Sequence, residues 1–119
     1  MISGPHAPSA VTTLDTTATS IKIQWYPPTT IQECVDHYRL CYKIDVPELR
    51  ENTFNEICLE TDHVNDTSAV QSYTIINLEP CAVYRIRIAA VTPLGQYSVD
   101  VRHIERTKYE GNLLNMIVL

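Results

Sequence analysis

The chain has 119 residues, of which 45% are hydrophobic and 19% charged, and its formal net charge is −5. This length and composition fit one globular domain, and the acidic balance disfavours a nucleic-acid binder, which needs a basic face. We expect no membrane span within the chain, because no run of about 20 apolar residues occurs. We also expect no signal peptide, because the first residues lack a basic start and an apolar centre.

Alternation of apolar and polar residues with a period of two predicts seven short β-strands. In chain order they occupy residues 9–15, 20–26, 35–43, 54–60, 72–80, 83–91 and 97–107. The alternation also predicts which side chains point inward. The expected inward positions include Ile21, Ile23, Trp25, Tyr38, Leu40, Tyr42, Ile57, Leu59, Tyr73, Ile75, Tyr84, Ile86, Ile88, Tyr97, Val99 and Val101.

Prolines and polar segments separate the predicted strands. Pro27 and Pro28 close the second strand, since proline cannot donate to a β-ladder. Pro80 marks one turn and the segment TPLGQ marks another, and residues 44–52 and 61–70 are predicted to be polar loops. Seven short strands with such breaks are typical of an immunoglobulin-like β-sandwich.

The chain contains four cysteines, at positions 34, 41, 58 and 81. An even number of cysteines in a small all-β chain suggests two disulfides and an oxidising compartment. No Cys-x-x-Cys pair occurs, which argues against a zinc site or a thioredoxin-like redox pair. The alternative is four buried free thiols in a cytosolic domain, since free cysteine packs as a small hydrophobic residue.

Several spaced features resemble the fibronectin type III domain over about residues 8–107. In chain order they are Pro8, Trp25, Pro28, the strand VDHYRLCY, the Leu-x-Pro-x-x-x-Tyr pattern of LEPCAVY, the segment AAVTPLGQYS and the closing ERT. The chain departs from the family in its cysteines and in Ala82, where threonine is common. The resemblance divides the chain into an N-terminal lead (1–7), the domain (8–107) and a C-terminal tail or linker (108–119).

This resemblance implies a seven-stranded antiparallel immunoglobulin-like sandwich. Tyr84 would occupy the tyrosine corner of such a fold, with its ring in the core and its hydroxyl donating to the backbone upstream, near Leu78. Trp25 and Tyr38 would be core aromatic residues. We therefore expect the side chains of Trp25, Tyr38, Leu78 and Tyr84 to be structural and not part of a ligand site.

The strand order implied by the resemblance also leads to an expectation for the cysteines. It places Cys34 and Cys58 near one end of a sheet and Cys41 and Cys81 near the other. A disulfide needs Cα atoms within about 7 Å of each other, so the expected pairs are Cys34–Cys58 and Cys41–Cys81. Each bond would stabilise the fold by roughly 3–4 kcal/mol in the chain-entropy account.

Four basic residues would share the outward face of two adjoining strands in this topology: Arg39, Lys43, Arg85 and Arg87. Such a patch predicts a surface for an acidic partner or a sulfated glycan. The alternative is that these residues pair across strands with Glu56 and Glu60.

Asn65 begins an Asn-x-Thr triplet in a predicted loop, so it is the expected glycosylation site of a secreted protein. The loops PPTTIQE and TPLGQ would meet at one end of the sandwich, where many relatives bind partners, but neither contains Arg-Gly-Asp. The apolar tail GNLLNMIVL could begin a membrane span, lead to another domain, pair with a partner's edge or end as a docked or frayed terminus.

Catalytic patterns are not evident, so we expect no enzyme, no cofactor and no metal. No nucleophile motif, phosphate loop or HExxH sequence occurs, and Asp36-His37 near a cysteine is the one suggestive cluster. The sequence therefore predicts a non-catalytic extracellular binding or spacer module of a receptor, adhesion or matrix protein, with neighbouring domains. The alternatives are an intracellular scaffold module with reduced thiols and a secreted single-domain ligand.

Overall fold

The computed structural model describes residues 6–31, 34–45 and 55–109. The strands are β1 (Ser9–Thr16), β2 (Ile21–Tyr26), β3 (His37–Ile44), β4 (Ile57–Glu60), β5 (Gln71–Ile75), β6 (Val83–Val91) and β7 (Val101–Arg106). They form a three-stranded sheet in the order β1-β2-β5 and a four-stranded sheet in the order β4-β3-β6-β7, and every paired neighbour is antiparallel. This confirms the predicted all-β, seven-stranded sandwich.

The core lies between the two sheets and is built from the inward positions of their central strands. Trp25 is fully buried, and its ring meets that of Tyr38 edge to face at a centroid distance of 5.4 Å. Burial of an indole of this size contributes roughly 4–6 kcal/mol as an upper bound. The indole Nε1 has no hydrogen-bond partner among the described residues, so this ring acts through packing alone. The other buried apolar residues include Ile21, Ile23, Leu40, Ile75, Leu78, Ile86, Ile88 and Ala90.

Tyr84 fixes the turn that precedes its own strand. Its side chain is buried, and the backbone N–H of Glu79 donates to its hydroxyl oxygen at 2.8 Å. The hydroxyl lies near Leu78 as expected, but at this contact it accepts a hydrogen bond, so the expectation that it donates was wrong. The reason is that the turn directs the backbone N–H of Glu79 toward the hydroxyl oxygen of Tyr84.

Thr107, the residue that follows β7, supports the same turn. The N–H of Ala82 donates to the Thr107 hydroxyl at 3.0 Å, and this hydroxyl donates to the carbonyl oxygen of Glu79 at 2.6 Å. The backbone of Thr107 also donates to the carbonyl oxygen of Ala82. Two buried hydroxyls, those of Tyr84 and Thr107, therefore satisfy the polar groups of this turn.

The last strand differs from the sequence prediction, because it begins at Val101 and not near Tyr97. The hydroxyl of Ser98 accepts the N–H of Ala90 at 2.9 Å and donates to the carbonyl oxygen of Val99, which turns Ser98 inward. Tyr97 and Val99 therefore face solvent, with 43% and 77% of their surface exposed. The prediction that they point inward was wrong, since a serine takes the buried position between them.

Several predicted segments lie outside the described residues. They are the tail GNLLNMIVL, most of the lead before Pro8 and most of the loop between β3 and β4. In the described part of the chain, no helix has the length and apolar character required to cross a membrane.

Candidate functional site

The four predicted basic residues do share one surface, the outer face of the four-stranded sheet, which is the face turned away from the core. Lys43 of β3 lies opposite Arg85 of β6, and Arg39 and Arg87 occupy outward positions of the same two strands. The structure also brings β7 beside β6, so that Arg102 lies opposite Arg87. The outer face therefore extends one strand beyond the predicted patch.

Arg87 is held by carboxylates of the chain itself. Its Nε and Nη2 atoms donate to the two oxygens of Glu56, both at 2.7 Å, and its Nη1 atom donates to Asp100 at 2.8 Å. The hydrogen bond from Arg87 is the largest of the effects that lower the pKa of Glu56, and the hydrogen bond to Glu56 is the largest of those that raise the pKa of Arg87. Arg87 therefore forms the cross-strand pairs that the alternative interpretation expected, and its guanidinium is not free to bind a partner.

The remaining basic residues of the outer face differ in how far they are paired. The guanidinium of Arg39 lies over the ring of Tyr97, 4.4 Å from its centroid, as a cation–π contact. Arg85 is well exposed and meets Asp45 at 3.3 Å. Within the described ranges, no ion pair reaches Lys43 or Arg102. The side chains of Lys43 and Arg102 are therefore free to contact a ligand.

A second cluster forms at the end of the four-stranded sheet where β3 begins. Here Asp36 and His37 meet Glu60 of β4 and His63 of the following loop. The Nδ1 atom of His37 contacts Asp36 at 2.8 Å, and its Nε2 atom contacts Glu60. The hydroxyl of Tyr97 donates to the other oxygen of Glu60 at 3.0 Å, which ties the β6–β7 loop to this cluster.

This geometry indicates that His37 carries a positive charge. Carboxylate oxygens only accept hydrogen bonds, so a ring with a carboxylate at each nitrogen must donate from both. Burial opposes the charge on His37, but the hydrogen bonds to Asp36 and Glu60 outweigh it and raise its pKa. The same contacts lower the pKa of Asp36 and of Glu60, chiefly through the hydrogen bond from His37. The cluster is an ion-pair network that links three segments of the chain.

The predicted disulfide pairs, Cys34–Cys58 and Cys41–Cys81, were wrong. The structure joins Cys41 to Cys58 with a Cα–Cα distance of 4.0 Å and leaves Cys34 and Cys81 as exposed free thiols. The reason is the register of β3, which sets Cys41 directly opposite Cys58.

The same register separates the predicted partners. On its other side Cys41 lies opposite Arg87, six residues along the chain from Cys81, which corresponds to roughly 20 Å of extended strand. Cys34 precedes Cys41 by seven residues and is therefore similarly far from Cys58. Neither gap fits the roughly 7 Å that a disulfide allows.

Metal binding has little support in the described part of the chain. One group there, Cys41, Glu56 and Cys58, brings three ligand-type atoms within 4.8 Å of one another. Both sulfur atoms are bonded to each other, so neither is available as a thiolate ligand.

Asn65 lies exposed in the β4–β5 loop. It borders a groove of about 650 Å³ between β4 and β5, and the lining includes Glu60, Asp62, His63 and Tyr73. The turn after it is held by Asp66, whose side chain accepts the backbone N–H of Ser68 at 3.0 Å. The asparagine is therefore open to solvent on a loop of defined shape.

Two residues of these networks were missed by sequence reasoning. Tyr97 was assigned to the core because it alternates with valines, and Asp100 stands in the same run with no pattern to mark it. A signal for Tyr97 was available in Ser98, since a serine between two apolar residues can take the buried position when a backbone amide needs an acceptor.

The comparisons with known proteins agree with this architecture. The sequence profile described as the fibronectin type III domain matches residues 6–108. The chain belongs to the fibronectin type III family. The matched range contains the core residues Trp25, Tyr38, Leu78 and Tyr84. No curated protein matches the chain.

Solved structures with the same fold are only distantly similar in sequence. The fibronectin type III domain of the human collagen alpha-1(XX) chain is 23% identical, with a TM-score of 0.61 and coverage of 94% of this chain and 93% of that one. A myokine structure is also 23% identical, with a TM-score of 0.61 and coverage of 87% and 98%. The twitchin kinase region of C. elegans is 16% identical, with a TM-score of 0.68 and coverage of 91% and 17%. At these identities the likeness shows the fold alone.

Proposed function

We propose that this fibronectin type III domain is a non-catalytic extracellular module that binds a protein partner or spaces neighbouring domains in a receptor, adhesion or matrix protein. The observation that carries this proposal is the Cys41–Cys58 disulfide, which joins β3 to the edge strand β4. Such bonds persist outside the cell and are rare in the reducing cytosol. The exposed acceptor asparagine, Asn65, fits the same compartment and would carry its glycan at the rim of the β4–β5 groove.

The outer face of the four-stranded sheet is the binding surface in this proposal. Its available cations are Lys43 and Arg102, which no ion pair reaches in the described part of the chain, and the well-exposed Arg85. Arg39 contributes through the edge of its stacked guanidinium. Arg87 is committed to Glu56 and Asp100, so its role there is to hold the sheet face together. An acidic partner or a sulfated glycan would meet these cations without breaking the Arg87 ion pairs.

One observation favours a second candidate, an intracellular scaffold module. Cys34 and Cys81 are exposed and free, a state that a reducing compartment maintains more readily than an oxidising one. In that setting the Cys41–Cys58 pair would be reduced, and the sandwich would rely on its core alone.

The two candidates predict different locations for the protein. Cells would express the domain with its native flanking sequence and an epitope tag, and intact cells would be treated with a membrane-impermeant biotin reagent. The extracellular proposal predicts tagged protein in the medium or biotinylated at the surface. It also predicts a mobility shift on glycosidase treatment that the Asn65→Gln variant lacks. Tagged protein that stays inside the cell, unlabelled and unglycosylated, would support the scaffold instead.

A further inference from the structure

The outer face carries more positive than negative charge, although the chain as a whole has a formal net charge of −5. Among the described residues, six of the chain's nine lysines and arginines lie on this face, and four carboxylates contact them or lie beside them. The cations are Arg39, Lys43, Arg85, Arg87, Arg102 and Arg106. The carboxylates are Asp45, Glu56, Glu60 and Asp100. An acidic protein has therefore gathered most of its cations on one surface.

Like charges face each other across this surface. Lys43 lies opposite Arg85, and Arg87 lies opposite Arg102. Directly opposed like charges destabilise a sheet. Asp45 pairs with Arg85 in the first pair, and Glu56 and Asp100 neutralise Arg87 in the second. No ion pair in the described part of the chain reaches their opposite members, Lys43 and Arg102. A placement that costs stability indicates that the charge serves a function.

The cations that remain available for a ligand, three without an ion pair in the described part of the chain and the well-exposed Arg85, are arranged around an exposed apolar side chain on β7. Arg102, Ile104 and Arg106 alternate on the outward side of this strand, about 7 Å apart in succession. Ile104 lies opposite Arg85 and has 60% of its surface exposed. We define the cationic patch as Lys43, Arg85, Arg102 and Arg106 around Ile104.

We infer that the cationic patch binds a sulfated glycan; this inference rests on the proposed extracellular function. Guanidinium groups match sulfate oxyanions with two parallel hydrogen bonds. Ile104 offers an apolar contact for the C–H face of a sugar ring.

A glycan fits this surface better than an acidic peptide does. The patch spreads across the faces of β3, β6 and β7. The backbone groups of β3 and β6 are already paired within the sheet, and β7 is an edge strand, but the patch side chains project from its face and not along its open edge. An extended peptide gains affinity by adding hydrogen bonds at a sheet edge. A flat face gives it no such bonds, whereas a sulfated chain needs only its charges and ring surfaces.

The inference is tested by calorimetric titration of the intact chain with a size-defined heparin oligosaccharide. The patch variant combines Arg102→Ser and Arg106→Ser. The matched control combines Lys22→Ser and Lys108→Ser, which removes two exposed cations from the other sheet and from the chain after β7. Both variants change the net charge equally, and circular dichroism checks that both remain folded.

We expect the patch variant to bind about tenfold more weakly at physiological salt and the control variant to bind like the original chain. The slope of log affinity against log salt concentration should fall by about two for the patch variant, as counterion release requires. Desulfated heparin should not bind. Absence of binding by the original chain, equal loss in both variants, or equal affinity for a polyglutamate peptide would overturn the inference. None of these results alters the location and glycosylation tests of the proposed function.

Discussion

Replacing Tyr84 with phenylalanine tests how the fold holds the turn before β6. The ring would stay in the core, and only the hydroxyl that accepts the N–H of Glu79 at 2.8 Å would be lost. A donor left without a partner costs about 1–3 kcal/mol when it is buried. The turn is partly buried, so we expect Tyr84→Phe to lower the free energy of unfolding by about 1–2 kcal/mol.

Urea unfolding followed by the fluorescence of Trp25 measures this loss. The slope for a small domain is about 1–3 kcal/mol per molar urea, so the midpoint should fall by roughly 1 M. Tyr26→Phe is the matched control, since it removes a hydroxyl from a side chain that is 42% exposed, and its midpoint should stay almost unchanged. If Tyr84→Phe unfolds at the same midpoint as the original chain, the hydroxyl does not hold the turn and this reasoning is wrong.

Three further predictions follow from the described contacts. Replacing Cys41 and Cys58 together by alanine should lower the free energy of unfolding by about 3 kcal/mol, as expected for a sequence separation of 17 residues, and a reducing agent should then have no further effect on the urea midpoint. Ser98→Ala removes the acceptor of the buried Ala90 N–H and should cost about 1–3 kcal/mol, whereas Ser98→Thr should retain part of that stability. His37 should make stability depend on pH: because its pKa is raised in the folded state, its contribution is complete below its ordinary value of 6.5 and is lost as the pH rises through the folded value. Urea midpoints measured from pH 5 to pH 9 should therefore fall for the original chain and fall less for His37→Gln; parallel curves would show that His37 is not the titrating group.

The carboxylate partners of His37 set the acid limit of the same network. Asp36 and Glu60 have lowered pKa values in the folded state, so their contribution is present above their ordinary values of 3.8 and 4.5 and is lost as the pH falls through the folded ones. Stability from this cluster is therefore greatest in mildly acidic solution, between the two transitions.

The sequence predicted the parts of the fold that follow from period-two alternation. Trp25, Tyr38 and Tyr84 each stand in a strand whose neighbours alternate, and burial of large rings leaves little choice of face. The turn at Leu78 was predictable from Pro80, a residue that marks turns, although β5 ends earlier than predicted, at Ile75. These features depend on local pattern, which a single sequence displays.

The pairing of the cysteines was not predictable, because it depends on register between strands. A shift of seven residues in how β4 lies along β3 and the segment before it decides whether Cys58 meets Cys34 or Cys41. The loop between these strands carries no turn signal that fixes the shift. Register of this kind is set by the packing of both sheets together.

The polar networks were hidden for a related reason. His37 and Glu60 are 23 residues apart in sequence, and Tyr97 joins them only because Ser98 is turned inward. The sequence predicted that Arg39, Lys43, Arg85 and Arg87 share an outward face. It did not predict the extension of that face by β7, which brings Arg102 next to Arg87.

The state of the four cysteines in the native protein tests the central claim most directly. Cells would be treated with an alkylating reagent before lysis, and the purified protein would be mapped by non-reducing peptide mass spectrometry. The account predicts labels on Cys34 and Cys81 and a linked peptide pair that contains Cys41 and Cys58. Labels on all four cysteines would contradict the extracellular module and leave the intracellular scaffold in its place.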